Sequence, residues 1–336
     1  MPHSRSRLSA LTGLRFLAAL WVVMYHYAPF PADAALVGRG YLAVPFFFVL
    51  SGFVLAYSSS GRGVRAFWIG RLTRLYPTYL LGLGLAAALA AATGSAVLLG
   101  SALSEAGLIQ AWAPGSGLWL NGPGWSLSVE MALYASFPLL LPLVRRASRR
   151  GLLVVSALAW LLASGIALLG LVWLEAGGAV SAQTLLFWPP FHLGSFLLGM
   201  SAGTLVARSG APRHGSALAV FAMLVLVGLL GTPVPGALFH DGLLSPVFLL
   251  MIVGLARGGP FSRVLGSRAL VALGNASYAL YILQAPLWGW WLALGGNDRF
   301  GFWPWLGLLV ICSLATHRWF ERPSRAWLQQ VADADR

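Results

Sequence analysis

An all-α, polytopic membrane protein with about ten spans is the fold that the 336-residue sequence predicts. Three observations carry that prediction. Hydrophobic residues make up 58% of the chain and charged residues 9%, against roughly 25% charged in ordinary soluble domains. Apolar runs recur along the whole length, each able to cross roughly 30 Å of hydrocarbon at about 1.5 Å per helical residue. The basic residues are all arginine, and nearly all fall in alternate connections between those runs, as the positive-inside rule requires. The net charge of +13 is therefore a topology signal and not a nucleic-acid surface. Cys312 is the single cysteine, so no internal disulfide forms.

The spans read in order as 11–29, 40–59, 75–95, 123–143, 151–174, 185–207, 215–232, 240–257, 270–294 and 300–319. Arg5 and Arg7 precede the first. Arg62, Arg65, Arg71 and Arg74 separate the second from the third, and Arg145, Arg146, Arg149 and Arg150 the fourth from the fifth. Arg208 and Arg213, then Arg257, Arg263 and Arg268, continue the alternation, which Arg318, Arg322 and Arg325 close. The opposite connections hold only Arg39 and Arg299 with Asp33, Glu105, Glu175 and Asp298, so both termini are predicted to be cytoplasmic. Arg15 interrupts the first apolar run, which argues against a cleaved signal peptide. Stretch 96–122, with Trp112 and Trp119 among Gly, Pro and Ser, is expected to lie on the outer interface. The reading is one membrane domain over 1–336 with no appended soluble domain.

Ionisable groups at mid-membrane cost about 2.5–3.5 kcal/mol on insertion scales, so each is a candidate for function. Arg15 and His26 are eleven positions apart on the first span, which returns them to one helix face about 16 Å apart along the axis. Glu130, about seven residues into the fourth span, is expected at a depth close to that of His26, with Ser126 and Tyr134 at four-residue spacing on the same face. A carboxylate beside an imidazole fixes its tautomer and stabilises its charged form. A structural pair that locks two helices fits the same residues equally well. Arg71 and Arg74, three apart, could grip phosphates at the inner mouth of this path; positive-inside charge accounts for either one alone. His192 is a core or pore-lining histidine, and Ser51, Asn275 and Gln284 complete the neutral polar set. No His/Cys/carboxylate grouping has metal spacing, so no metal is expected. Gly82 and Gly84 lie inside a span and serve helix packing, not a dinucleotide loop.

Six strings together resemble the acyltransferase 3 family of multi-pass bacterial membrane enzymes: LTGLRFLAALWVVMYH (11–26), PFFFVLSGFVLAY (45–57), RLTRLYPTYLLGL (71–83), GPGWSLSVEMALY (122–134), LGNASYALYILQAPL (273–287) and FERPSRAWL (320–328). They follow the family's order from end to end. The resemblance implies O-acylation of sugars, polysaccharides, lipids or natural products in the bacterial inner membrane. It carries the role of base to His26 and acyl-donor handling to Arg15, Arg71 and Arg74, and it makes Glu130 a partner in the site. Gln284 stands where many relatives have histidine, and an amide cannot act as a base. The implied donor is acyl-CoA, most simply acetyl-CoA, entering from the cytoplasm. The acceptor is a hydroxyl of a carbohydrate or natural product, and Ser126 or Tyr134 are candidates to stabilise the oxyanion. The rival class is a secondary transporter or flippase, which ten spans with ionisable residues also fit; the paired, interrupted spans common in such proteins are not evident.

Overall fold

The computed structural model describes residues 8–31, 34, 36–59, 63–113, 120–177, 182–232, 238–297 and 301–334. His3, Arg5, Arg7, Asp33, Arg62, Trp119, Asp298 and Arg299 lie outside them. The regular secondary structure of the described residues is all helical, with no strand among them. In chain order the helices are α1 (Ser9–Tyr27), α2 (Ala43–Ser58, entered through a 3₁₀ turn at Gly40–Leu42), α3 (Val64–Ala92), α4 (Leu99–Ala106), α5 (Gly124–Arg146) and α6 (Arg149–Glu175). There follow α7 (Ala182–Phe187), α8 (Leu193–Ser209), α9 (Gly215–Leu230), α10 (Ser245–Ala256) and α11 (Pro260–Leu265). The last three are α12 (Arg268–Ala293), α13 (Phe302–Thr316) and α14 (Arg322–Ala334).

Among the described residues, seven helices are long and apolar enough to cross a membrane: Ser9–Tyr27, Gly40–Ser58, Val64–Ala92, Gly124–Arg146, Arg149–Glu175, Pro189–Ser209 and Arg268–Ala293. The remaining three expected spans appear as shorter helices: α9 has 16 residues, α10 has 12 and α13 has 15. Extra turns flank two of these. A π turn at Phe239–Leu243 leads towards α10, and another at His317–Glu321 joins α13 to α14. The lipid-facing character of the bundle shows on α6. Leu158, Leu161, Leu162, Leu169 and Trp173 are all more than half exposed. An apolar surface of that length is stable only against hydrocarbon.

Two expectations are corrected here. The third span was expected to begin at 75, with Arg71 and Arg74 before it; α3 begins at Val64 and carries both arginines inside the helix. A hydropathy reading stops at guanidiniums, whereas the fold turns that face inward to a polar cavity. Stretch 96–122 does not lie wholly on the surface. Trp112 is half exposed, but Glu105, Leu108, Gln110, Ala111 and Asn121 are almost fully buried.

Close helix contact depends on missing side chains. A Cβ on Gly199 of α8 would stand 2.0 Å from the carbonyl oxygen of Val49 on α2, and one on Gly274 of α12 would stand 1.9 Å from that of Thr12 on α1. These two crossings bring backbones together as small residues do in membrane helices. The main core gathers around α2, α8 and α10, with Phe53, Phe196 and Phe248 fully buried. A second core joins α1, α12 and α13 through Val23, Leu283, Phe302 and Trp305. The polar cavity is lined from α1, α2, α3, α5 and α12.

Candidate active site

Proline chemistry positions the entry to the site. Pro286 in α12 has no N–H, so the carbonyl of Ile282, four residues before it, loses its intrahelical donor. The side-chain amide of buried Asn121 supplies one instead, at 3.1 Å. The neighbouring backbone is clasped from the other side. The Glu105 carboxylate accepts hydrogen bonds from the amides of Leu120 at 2.7 Å and Asn121 at 3.2 Å. Burial pushes that carboxyl above its ordinary value, against the opposing pull of the two amide bonds. Tyr79 of α3 donates its hydroxyl proton to the Glu105 carbonyl at 2.8 Å, tying the segment to a third helix.

The chain thus enters α5 from inside the bundle. Ser126, in its first turn, hydrogen-bonds the Tyr281 hydroxyl at 2.9 Å. Glu130 follows one turn later. Its Oε1 accepts from Ser51 of α2 at 3.0 Å and from the Tyr134 hydroxyl in a short hydrogen bond. These groups line a cavity of about 110 Å³. Arg15, Arg71 and Arg74 line the same cavity, as do Tyr278 and Tyr281. Glu130 is within electrostatic range of Arg15 and Arg74, and the Arg71 guanidinium stacks 5.8 Å from the Tyr134 ring centre. The cavity therefore brings together seven of the expected site residues: Arg15, Ser51, Arg71, Arg74, Ser126, Glu130 and Tyr134.

Three expected residues stand elsewhere. His26, in the last turn of α1, is not among the lining residues, and its recorded partners do not include Glu130. Its Nδ1 lies 2.9 Å from the Val22 carbonyl. A carbonyl only accepts, so Nδ1 carries the proton and Nε2 is the basic nitrogen. The backbone thus does for this ring what the sequence assigned to Glu130. Gln284 is the side chain that faces the imidazole, and its own Nε2 donates to the Tyr281 carbonyl at 2.8 Å. Glu130 is deeper than expected. From Gln284 down to Tyr281, then from Ser126 to Glu130, is about seven residues of helix, or roughly 10 Å. The sequence placed the start of the fourth span at the surface; the buried anchors at Glu105 and Asn121 lower it. His192 is fully buried in an aromatic nest, 4.9 Å from the Phe48 ring, with Nε2 at 3.1 Å from the Leu186 carbonyl. It is a core histidine and not a lining one.

Sequence reasoning passed over Tyr278, Tyr281, Glu321 and Arg325. Glu321 is 6% exposed, paired at 3.1 Å with His317 Nδ1, and within electrostatic range of Arg15, Arg74 and Arg325. Burial, then the neighbouring Arg74 and Arg71 guanidiniums, lowers the pKa of Arg325. The signal was present in FERPSRAWL, where Glu321 and Arg325 stand four apart on one helix face. Among the described residues no group of three or more His, Cys, Asp or Glu side chains has a metal-holding arrangement.

Comparison with known proteins decides between the two classes that the sequence left open. No solved structure matches the chain. It is similar to acyltransferase MdmB of Streptomyces mycarofaciens, 33% identical over 317 residues, covering 84% of this chain and 80% of that protein. It is also similar to protein 2 in the picA locus of Rhizobium radiobacter, 41% identical over 92 residues, 24% of this chain and 45% of that one. Residues 8–316 match the family described as an acyltransferase domain, so that the chain belongs to the acyltransferase 3 family and is a membrane acyltransferase.

Proposed function

We propose that the enzyme transfers an acyl group from cytoplasmic acyl-CoA, most simply acetyl-CoA, to a hydroxyl of a sugar, polysaccharide, lipid-linked or natural-product acceptor in the bacterial inner membrane. The carrying observation is the cavity that gathers Arg15, Arg71 and Arg74 around Glu130, with His26 further along α1 and α12. Guanidiniums suit the phosphates of the donor, because their planar forks bind such oxygens through several donors. At about 110 Å³ the cavity is smaller than the roughly 300 Å³ and more usual for a drug-sized ligand, so it takes only part of the donor beside the arginines. The nucleotide end stays at the arginine mouth and the arm points towards His26.

His26 Nε2 accepts the proton of the acceptor hydroxyl as that oxygen bonds to the thioester carbon. The tetrahedral intermediate then collapses, the carbon–sulfur bond breaks, and the imidazolium returns its proton to the departing CoA thiolate. Ester and free CoA are the products. General-base help of this kind is worth roughly 10²–10⁴ in rate. Ser126, whose hydroxyl lies on the cavity wall nearer to His26, is the candidate oxyanion donor; Tyr134, the other expected hydroxyl, gives its single proton to Glu130. Glu130 holds Tyr134 and Ser51 in place and offsets the arginines.

The test is release of free CoA by purified protein given acetyl-CoA and a panel of hydroxylated acceptors. His26→Ala is expected to lower kcat by roughly 10²-fold or more; undiminished turnover would remove His26 from the mechanism. Arg71→Ala combined with Arg74→Ala is expected to raise the donor KM, and an unchanged KM overturns their assignment.

A further inference from the structure

Six side-chain hydroxyls line the cavity: Ser51, Ser126, Tyr134, Ser277, Tyr278 and Tyr281. Each carries one proton, and each proton can be followed to its acceptor. Ser51, at 3.0 Å, and Tyr134 both give theirs to the Glu130 carboxylate. Hydrogen bonds to a charged acceptor are the stronger kind, so these two protons are held where they are. Tyr278 donates to the Leu75 carbonyl at 2.7 Å and Ser277 to the Gly274 carbonyl at 2.8 Å. Both stand about one helical turn further than Tyr281 from Gln284, the side chain that faces the imidazole of His26.

Ser126 and Tyr281 are left as a linked pair. Ser126 donates to the Pro123 carbonyl at 3.0 Å, and its oxygen meets the Tyr281 hydroxyl at 2.9 Å. With the serine proton on Pro123, the bond between the two hydroxyls runs one way: Tyr281 donates and Ser126 accepts. This chain of two bonds ends on a neutral carbonyl that has a second partner, the Ser126 amide at 3.3 Å. The Pro123 carbonyl is therefore not stranded when the serine proton turns away from it. An oxyanion is the better acceptor, since charge-assisted bonds are roughly twice as strong as neutral ones. A hydroxyl that accepts one hydrogen bond is also polarised to donate the next more strongly. Tyr281 is held for this task from both ends. Its ring meets the Phe47 ring edge-on at 6.4 Å between centres, and its carbonyl accepts from Gln284 at 2.8 Å.

We propose that Tyr281 is a positioning residue for acyl transfer: its hydroxyl donates into Ser126 Oγ, and the serine turns its own proton from the Pro123 carbonyl to the oxygen that becomes negative in the tetrahedral intermediate. This rests on the acyl-transfer reading above. When the intermediate collapses, the serine proton returns to Pro123 and neither hydroxyl is consumed. One turn of α12 then serves both halves of the chemistry, with the Gln284 amide towards the base and the Tyr281 phenol on the oxyanion donor.

The test measures kcat and donor KM for the full chain as wild type, Y281F, S126A and the double variant, with acetyl-CoA and a hydroxylated acceptor. S126A is expected to lower kcat by about 10²-fold or more, as loss of one oxyanion donor does. Y281F, in which phenylalanine fills the same space, is expected to lower kcat by about tenfold. Donor KM stays unchanged in both, because the bond is made only in the transition state. In the S126A background Y281F is expected to cost nothing further, because the tyrosine acts only through the serine. Undiminished kcat in Y281F overturns the proposal. So does the same tenfold loss in the S126A background, which would make the tyrosine act by itself. Wild-type protein that releases no CoA with any acceptor fails at an earlier step, and removes the donor reading and the role of both hydroxyls together.

Discussion

Glu105 and Glu321 are two of only nine acidic residues in a chain with twenty-two basic ones, and both are buried. Their surroundings differ in kind. Glu321 is paired with the His317 imidazole at 3.1 Å, whereas Glu105 is held by two backbone amides. For Glu105 the loss of water outweighs those two bonds, so its folded carboxyl takes up a proton more readily than the ordinary glutamate value of 4.5. A carboxyl raised on folding adds stability that is complete below the unfolded value and is lost as pH rises through the folded one. The enzyme is therefore expected to lose thermal stability as pH climbs upward from that ordinary value. Glu105→Gln, neutral at every pH and still able to accept a hydrogen bond, is expected to flatten this slope. Thermal unfolding of both proteins between about pH 4 and about pH 7 measures the difference.

At the scale of elements, α5 and α12 show what sequence patterns reach and what they miss. Apolar run length located both helices to within a few residues, because a membrane helix announces itself in its own sequence. The depth at which α5 starts was not legible. It is set by Glu105 gripping residues fifteen and sixteen positions away and by Asn121 meeting a carbonyl on another helix. Nothing local encodes those partners, and the missed neighbourhood of Glu130 follows from them. Arg71 and Arg74 were legible as a pair on one helix face but not as cavity-lining residues well inside α3, since hydropathy cannot distinguish a charge on a cavity wall from one in a loop. The Asn121–Ile282 bond makes a specific prediction. Asn121→Ala leaves the Ile282 carbonyl without a donor and should destabilise by about 1–3 kcal/mol. Pro286→Ala lets that carbonyl regain its helical partner and strands Asn121. The double variant should cost less than the sum of the two, and a double-mutant cycle on thermal unfolding reads the coupling.

For the whole molecule, family membership over residues 8–316 and seven long apolar helices establish a multi-pass membrane acyltransferase. The count of ten spans depends on the three shorter helices also crossing, which the alternating arginines support. With ten, both termini lie on the same side of the membrane, which the arginine alternation predicts to be the cytoplasmic one. Because Cys312 is the only cysteine, its replacement by serine gives a blank chain for accessibility mapping. Single cysteines placed at positions 149 and 176 are expected to label from opposite sides of the membrane, and cysteines at 4 and 334 from the same side. Labelling of 4 and 334 from different sides would require an odd number of crossings.

The buried anchors at Glu105 and Asn121 also change what the lipid controls. The route between the arginine mouth and the histidine end is measured out by contacts among α1, α5 and α12, protein against protein. Hydrocarbon thickness around the bundle does not enter that length, so under the proposed function the reach demanded of a donor's arm would be fixed by the enzyme itself in whatever bilayer it occupies.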